Sequence, residues 1–192
     1  MTGKFDLNSI RARLLRDTME SKSERDVPVA AVAVIINPNG QGGSILLIRR
    51  MERRDDPWSG QIAFPGGRRS PEDRTLPETA IREVWEEVGI QLEDHNFLGH
   101  LPIVTTRNRQ MRVLPVVFEL KSPVSIRTNL EVAEAFWIAS SDLEKLVLQD
   151  RTVKVEGGSL TVPSYEYGGR VIWGLTFRIL NLLLDRETPG NL

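Results

Sequence analysis

The chain reads as an α/β protein with a mixed β-sheet between helices, and three features predict this. β-branched and apolar runs such as "VPVAAVAVIINPNG" and "SILLIRR" recur along it. One helix, bounded by Thr75 and Gly89, carries start and stop signals at both ends. Strands and helices intersperse without a strict βαβ repetition, which points to a mixed sheet flanked by helices.

The elements follow in order. Residues from about Asn8 to Glu20 place Ile10, Leu14 and Leu15 among arginines, the pattern of a short amphipathic helix. Residues 1–26 are accordingly set apart as an N-terminal helical extension, and 27–192 as the main domain. The run beginning at Val27 breaks at Asn37-Pro38-Asn39-Gly40 and resumes at Ser44, so two paired strands are expected. "GQIAF" is a short third strand, closed by Pro65-Gly66-Gly67. Thr75-Leu76-Pro77-Glu78 then fits a capping box, and Gly89 sits where a left-handed C-terminal cap belongs. Farther on, "NFLGHLPIV", "MRVLPVVFEL" and "EVAEAFWIA" read as strands. A short helix is expected from Ser140 or Ser141 to about Leu148, with a small hairpin over 150–164. "VIWGLTFRILNLLLDR" closes the chain as a largely buried helix, apolar around most of its circumference; it also suits a homodimer interface, and Trp173 and Phe177 read as core or dimer interface rather than a ligand platform.

Composition narrows the function. A chain of 192 residues, 40% of them hydrophobic, is enough for one domain with a full core. A net charge of −1 argues against general nucleic-acid binding by bulk charge. The absence of cysteine excludes disulfides, a thiol nucleophile and thiolate metal sites. The first residues lack the apolar run of a signal peptide, and no apolar stretch is long enough to cross a bilayer, so the cytoplasm is the default expectation and no membrane partner is expected.

The helix after Thr75 raises the functional question. Ile81, Val84, Trp85 and Val88 fall at i, i+3, i+4 and i+7 and should form its buried stripe, with Glu83, Glu86 and Glu87 almost opposite. Like charges three or four residues apart on a helix repel by about 0.2–0.5 kcal/mol per pair. Two readings fit: a solvated helix face, or a site for hard divalent cations that take oxygen ligands and bridge to phosphates. A face built for solubility would intersperse lysines, whereas here Arg82 is the single basic neighbour, four residues before Glu86. "FPGG" ends the preceding strand with glycines that tolerate close approach. Arg49, Arg50, Arg53, Arg54, Arg68, Arg69 and Arg74 flank it, and each either meets phosphate oxygens or pairs with a nearby acid.

Gly67 through Ile90, ending in "REVWEEVGI", resembles the signature of the Nudix hydrolases, whose common form is G-x5-E-x7-R-E-U-x-E-E-x-G-U with U aliphatic. Gly67 and Arg82 are one residue farther apart than in that form, and Asp73 stands where its first glutamate would be. Both departures, together with Thr79-Ala80 before the arginine, resemble the coenzyme A diphosphatase branch. "LLIRRM" and "GQIAFPGG" match the two ends of that branch's upstream motif, with Ile48 and Met51 replacing Thr and Ser/Ala and one extra residue between Arg50 and Gly60; "IWGLT" resembles it again.

The resemblance implies a Nudix-like α/β/α sandwich over 27–192 and hydrolysis of a P–O–P link by water with Mg²⁺ or Mn²⁺. The substrate would be a small nucleoside diphosphate derivative: coenzyme A or an acyl-CoA, or else ADP-ribose, a nucleoside triphosphate or another dinucleotide. A non-catalytic nucleotide sensor on the same scaffold is the alternative of another class. Glu83, Glu86 and Glu87 would be the metal ligands, with the Gly66-Gly67 backbone offering a carbonyl and Arg82 holding a glutamate rotamer. Arg49, Arg50, Gly66, Gly67 and Arg68 would contact substrate. Asp73 either joins this set or stabilises the loop. The general base is open among Glu83, Glu131 and Glu134, of which Glu134 shares an alternating face with Val132 and Phe136. His95 and His100 read as surface or satisfied core residues. Trp58 either stacks on a base or packs beneath its loop.

Overall fold

The computed structural model describes residues 5–16, 29–38, 42–54, 56, 58–93, 96–106, 111–155 and 157–188. In chain order the elements are α1 (Leu7–Arg13), β1 (Ala30–Asn37), β2 (Ser44–Arg50), β3 (Ile62–Ala63), β4 (Gly66–Arg68), α2 (Leu76–Val88), β5 (Phe97–His100), β6 (Val104–Thr105), β7 (Arg112–Glu119), β8 (Val132–Ala139), α3 (Ser140–Lys145), β9 (Gln149–Val155), β10 (Gly158–Tyr167), β11 (Arg170–Trp173) and α4 (Gly174–Leu184). His95 and the expected helical residues after Arg16 lie outside the described residues.

The main sheet runs β3-β2-β1-β7-β5, with β4 beside β1, β6 beside β7 and β8 beside β2. β1 and β7 are parallel, and the other pairings are antiparallel, so the sheet is mixed as expected. Its alternating side chains feed two cores, as period-2 geometry requires. Val34 and Ile36 join Phe177, Leu180 and Leu184 of α4 on one side, while Ala33 and Ile35 join Ala80, Val84 and Val88 of α2 on the other. The result is the expected α/β/α layering. Phe5, Ile10 and Leu14 of the N-terminal segment pack into the α4-side core.

One irregularity positions the site. β1 touches β2 only through Ile36–Ile45 and Asn37–Ser44, after which the two strands diverge. The opening is filled by 62–68, with β3 along Ile48 and Arg49, and β4 along Ala30–Val32. The Ala33 N–H donates to the Pro65 carbonyl at 2.7 Å. Gly66-Gly67, expected as a turn, therefore forms a strand in the seam of the sheet. Gly66 has φ +151°, and a Cβ there would run into the Ala31 carbonyl and Val32, so only glycine fits.

Several boundaries differ from expectation. α1 starts on an Asp6 cap and stops at Arg13, because Leu15 leaves it to pair with His100. The expected hairpin after α3 is a three-stranded sheet, β9-β10-β11, that takes up "VIW" before α4 begins. α4 is buried as expected, and Phe177, Ile179, Leu180, Leu183 and Leu184 are all used in the chain's own core.

α2 matches its signals at both ends but not in its facing. Thr75 Oγ1 accepts the Glu78 N–H, and Gly89 caps the end at φ +66°. Glu78 reaches back to the Arg74 N–H at 2.8 Å. The buried stripe, however, runs through Leu76, Ala80, Val84 and Val88, with Trp85 58% exposed and Glu87 only 2% exposed. Small Thr79 and Ala80 let the helix lie close on the sheet, which turns the stripe away from the bulkiest side chain. The expected exposed three-carboxylate face is thus corrected: Glu86 is exposed, Glu83 is half-buried, and Glu87 points inward.

Candidate active site

β4 and α2 face each other across the sheet's seam, and the close approach of Gly67 decides what stands between them. A Cβ on Gly67 would collide with the Glu83 carboxylate. The Gly66 N–H donates to Glu87 Oε2 at 2.9 Å, which ties the buried glutamate to the glycine strand. Burial pushes the Glu87 carboxyl up to about 8, with the Glu83 and Glu131 charges acting in the same direction and the Gly66 N–H opposing. Burial also raises Glu83, against the pull of Arg82.

Arg82 organises the outer half of the cluster. Its guanidinium donates to both Asp73 oxygens at 3.0 Å, to Glu83 at 2.9 Å, to Glu86 at 3.1 Å and to the Arg68 carbonyl at 3.1 Å. Asp73, 7% exposed, also accepts the Ser70 N–H, and the Arg82 hydrogen bonds hold its carboxyl down at about 2. Of the two roles open to Asp73, this geometry is that of a loop and arginine anchor.

A cavity of about 360 Å³ opens on this cluster, and Glu83, Glu87, Glu131, Arg50, Gly66 and Gly67 all line it. Arg68 lines it as well. Glu131 arrives from the loop before β8, its carbonyl accepting the Met51 N–H at 2.7 Å and its side chain 3.4 Å from Arg53. Arg50 is paired with Asp56 at 2.9 Å. Trp58, for which stacking and packing were both open, stands in the cavity wall and is 39% exposed. Apolar Val32, Phe64 and Leu175 complete one side.

Three sequence candidates, Glu134, Arg49 and Glu86, do not line this cavity. Glu134 is ion-paired to Arg170 and lies 3.7 Å from Arg49, and both Glu134 and Arg49 line a separate cavity. Arg170 holds the Glu134 carboxyl below its ordinary range, the wrong direction for a base near neutrality. Glu86 points to Arg82 and does not line the cavity. His100, for which surface and core were both open, is buried, with its Nδ1 3.1 Å from the Leu101 carbonyl. Sequence reading missed the burial of Glu87 and the part of Trp173, which closes the cavity from the second sheet. Thr79 and Ala80, small residues on the stripe, were the available signal for the first; nothing local marked the second.

Among the described residues, no three acidic side chains stand close enough to hold an ion as placed; Glu83 and Glu86 both accept hydrogen bonds from Arg82. The donors nevertheless suit a hard divalent cation. They are all oxygen, and burial raises the Glu87 carboxyl against the pull of the Gly66 N–H and Arg50, a balance that a bound cation would tip toward the carboxylate.

The layered fold, the split sheet and the glycine strand facing a glutamate-rich helix define a class, and the sequence agrees. Residues 26–156 match the NUDIX domain, and the chain belongs to the Nudix family of hydrolases. The mouse mitochondrial coenzyme A diphosphatase NUDT8 is 32% identical over 192 residues, covering 96% of this chain and 89% of that protein. The uncharacterized Nudix hydrolase NudL of Photorhabdus laumondii is 34% identical over 143 residues, 73% of this chain and 76% of its own. A MutT/nudix family protein from Enterococcus faecalis shares the fold with a TM-score of 0.51 at 17% identity, over 87% of this chain and 63% of that one. No helix among the described residues is long and apolar enough to cross a membrane.

Proposed function

We propose that the chain hydrolyses the diphosphate link of coenzyme A or an acyl-CoA, giving adenosine 3′,5′-bisphosphate and 4′-phosphopantetheine or its acyl form. The observation that carries this reading is the convergence of Glu83, Glu87 and Glu131 with Arg50 on one cavity beside Gly66-Gly67. The similarity to a protein named as a coenzyme A diphosphatase supports the choice of substrate.

Glu83 and Glu87, with Glu86 and the Gly67 carbonyl, would hold Mg²⁺ or Mn²⁺. Such an ion, when bound, neutralises phosphate charge and makes a bound water more acidic. The residues of the chain do the rest. The Gly66 N–H fixes the Glu87 carboxylate. Arg82 anchors the outer glutamates and, through Asp73, the loop that carries them. Arg50 meets a phosphate oxygen, and Arg68 lies at the same mouth. Glu131, half-exposed and in the cavity, would take a proton from water as the water oxygen bonds to phosphorus and the bridging oxygen leaves with the electron pair on the departing phosphate. The apolar wall of Val32, Phe64 and Leu175 suits the pantetheine arm. The mouse relative is named mitochondrial, which leaves the cytoplasm, the default expectation, as a proposal for this chain.

Turnover of coenzyme A, acetyl-CoA, ADP-ribose and nucleoside triphosphates with Mg²⁺ tests the reading. Coenzyme A or its thioester should have the highest kcat/KM. Fast ADP-ribose cleavage without coenzyme A cleavage would transfer the site to the other diphosphates, and no turnover at all would favour a sensor.

A further inference from the structure

A second cavity, of about 960 Å³, lies between the main sheet and the three-stranded sheet and is not used by the chemistry above. Its lining holds five cationic side chains, Arg49, Arg53, Arg54, Lys154 and Arg170, against two acids, Asp56 and Glu134. Both acids are already engaged, Asp56 by Arg50 from the neighbouring cavity and Glu134 by Arg170 and Arg49. Among the described residues, Arg54 and Lys154 form no ion pair, and both are exposed. Arg170 is held in place over the Phe136 ring, 4.3 Å from its centroid. The cavity therefore carries uncompensated positive charge from the segment after β2 (Arg54) and from β9 (Lys154), with one guanidinium fixed beforehand.

Its position gives the charge a use. Gln61, Ile62 and Trp173 line this cavity and the catalytic one alike, so the two adjoin. A ligand cleaved at Glu83 and Glu87 can extend past Trp173 into the basic cavity. Of the five cations near the reacting diphosphate but outside its cavity, Arg53 pairs with Glu131, Arg49 and Arg170 share Glu134, and Arg54 and Lys154 have no ion pair among the described residues. Such a set suits a further dianionic group on the same molecule.

We infer that the cavity formed by Arg54, Lys154, Arg170 and their neighbours binds a phosphomonoester on the nucleoside half of the substrate, and so selects nucleoside diphosphate derivatives that carry one. The inference rests on the proposed activity, in which the 3′-phosphate of coenzyme A is that group, attached to the same ribose as the scissile diphosphate. Dephospho-CoA and ADP-ribose lack it.

The test compares coenzyme A with dephospho-CoA on wild-type protein and on an Arg54→Ala, Lys154→Ala variant. Both side chains are exposed, so the fold should tolerate the change, and an unaltered Tm checks this. Wild type should favour coenzyme A by tenfold or more in kcat/KM, and the variant should lose at least fivefold more activity on coenzyme A than on dephospho-CoA. Lys154→Arg alone should retain the preference. Equal wild-type rates on the two substrates, or equal losses in the variant, would overturn the inference and leave the proposed function standing. If wild type cleaves neither, the proposed function fails, and calorimetry in EDTA decides the cavity on its own. Adenosine 3′,5′-bisphosphate binding tenfold tighter than AMP to wild type but not to the variant would uphold it, and equal affinities would overturn it.

Discussion

Replacing Glu87 with glutamine should stabilise the metal-free protein while destroying its activity, and the size of the effect should depend on pH. Glu87 is 2% exposed, and burial raises its carboxyl from the ordinary 4.5 to about 8. Below pH 4.5 folded and unfolded chains are both protonated at this position, and no penalty exists. Between pH 4.5 and 8 the unfolded chain ionises while the folded one keeps its proton, so stability falls as pH rises. Above pH 8 the full difference applies: about 3.5 pH units at 1.36 kcal/mol each, or roughly 5 kcal/mol. Glutamine stays neutral throughout, and its Oε1 can still accept the Gly66 N–H. Its amide N–H groups need acceptors, at a cost of about 1–3 kcal/mol if one goes unmet. The net gain at pH 8.5 is then roughly 2–4 kcal/mol, about 5–15 °C in Tm for a chain of this size. Thermal unfolding in EDTA at pH 4.5 and 8.5 reads it directly. The advantage should be absent or reversed at pH 4.5, appear at pH 8.5 and shrink in wild-type comparison when Mg²⁺ is added. A Glu87→Gln variant no more stable than wild type at pH 8.5, or equally favoured at both pH values, would refute the reasoning.

Four other outcomes follow from the same geometry. Asp73 has its carboxyl lowered to about 2 by Arg82, so its contribution, roughly 2 kcal/mol, is present above pH 3.8 and lost as pH falls toward 2; Asp73→Asn should unfold more easily in urea at pH 6, with the difference closing near pH 2. Arg82→Ala should lower activity or metal affinity by about 10–100-fold, because it frees Glu83 and Glu86 to wander; Mn²⁺ titration calorimetry checks the affinity. Gly67→Ala should displace the Glu83 carboxylate and cut kcat by at least about tenfold, with Tm little changed because the yielding atoms are the end of a flexible side chain; one assay and one melting curve suffice. Glu131→Gln should lower kcat by about 10²–10⁴-fold as a missing general base does, whereas Glu134→Gln, in the other cavity, should change it far less at pH 8 with saturating Mg²⁺.

The sequence carried the layering and the ends of its central helix because those depend on local signals. Thr75, Pro77 and Gly89 act within one turn of where they stand, and alternation in "AAVAVIIN" reports two buried faces without any knowledge of partners. The facing of α2 was not legible, because it is set by which residues are small enough to approach the sheet. Ranking side chains by hydrophobicity put Trp85 inside and Glu87 outside, whereas contact with β4 does the opposite. The seam between β1 and β2 was also hidden. A pair of apolar runs predicts pairing, but only the path of 62–68 shows that pairing stops after two residues. Glu131 and Glu134 are three positions apart and chemically identical, and sequence left both open. Glu131 stands in the turn just before β8, whereas Glu134 lies within the strand, an odd number of positions on; one reaches the carboxylate cluster and the other Arg170.

The account depends on a divalent cation completing the carboxylate cluster when diphosphate is present. Anomalous diffraction from crystals grown with Mn²⁺ and a non-hydrolysable coenzyme A analogue measures this most directly. Peaks within about 2.1 Å of Glu83 and Glu87 oxygens and of a phosphate oxygen are the predicted result. Analogue bound in the cavity with no peak at either glutamate would contradict it.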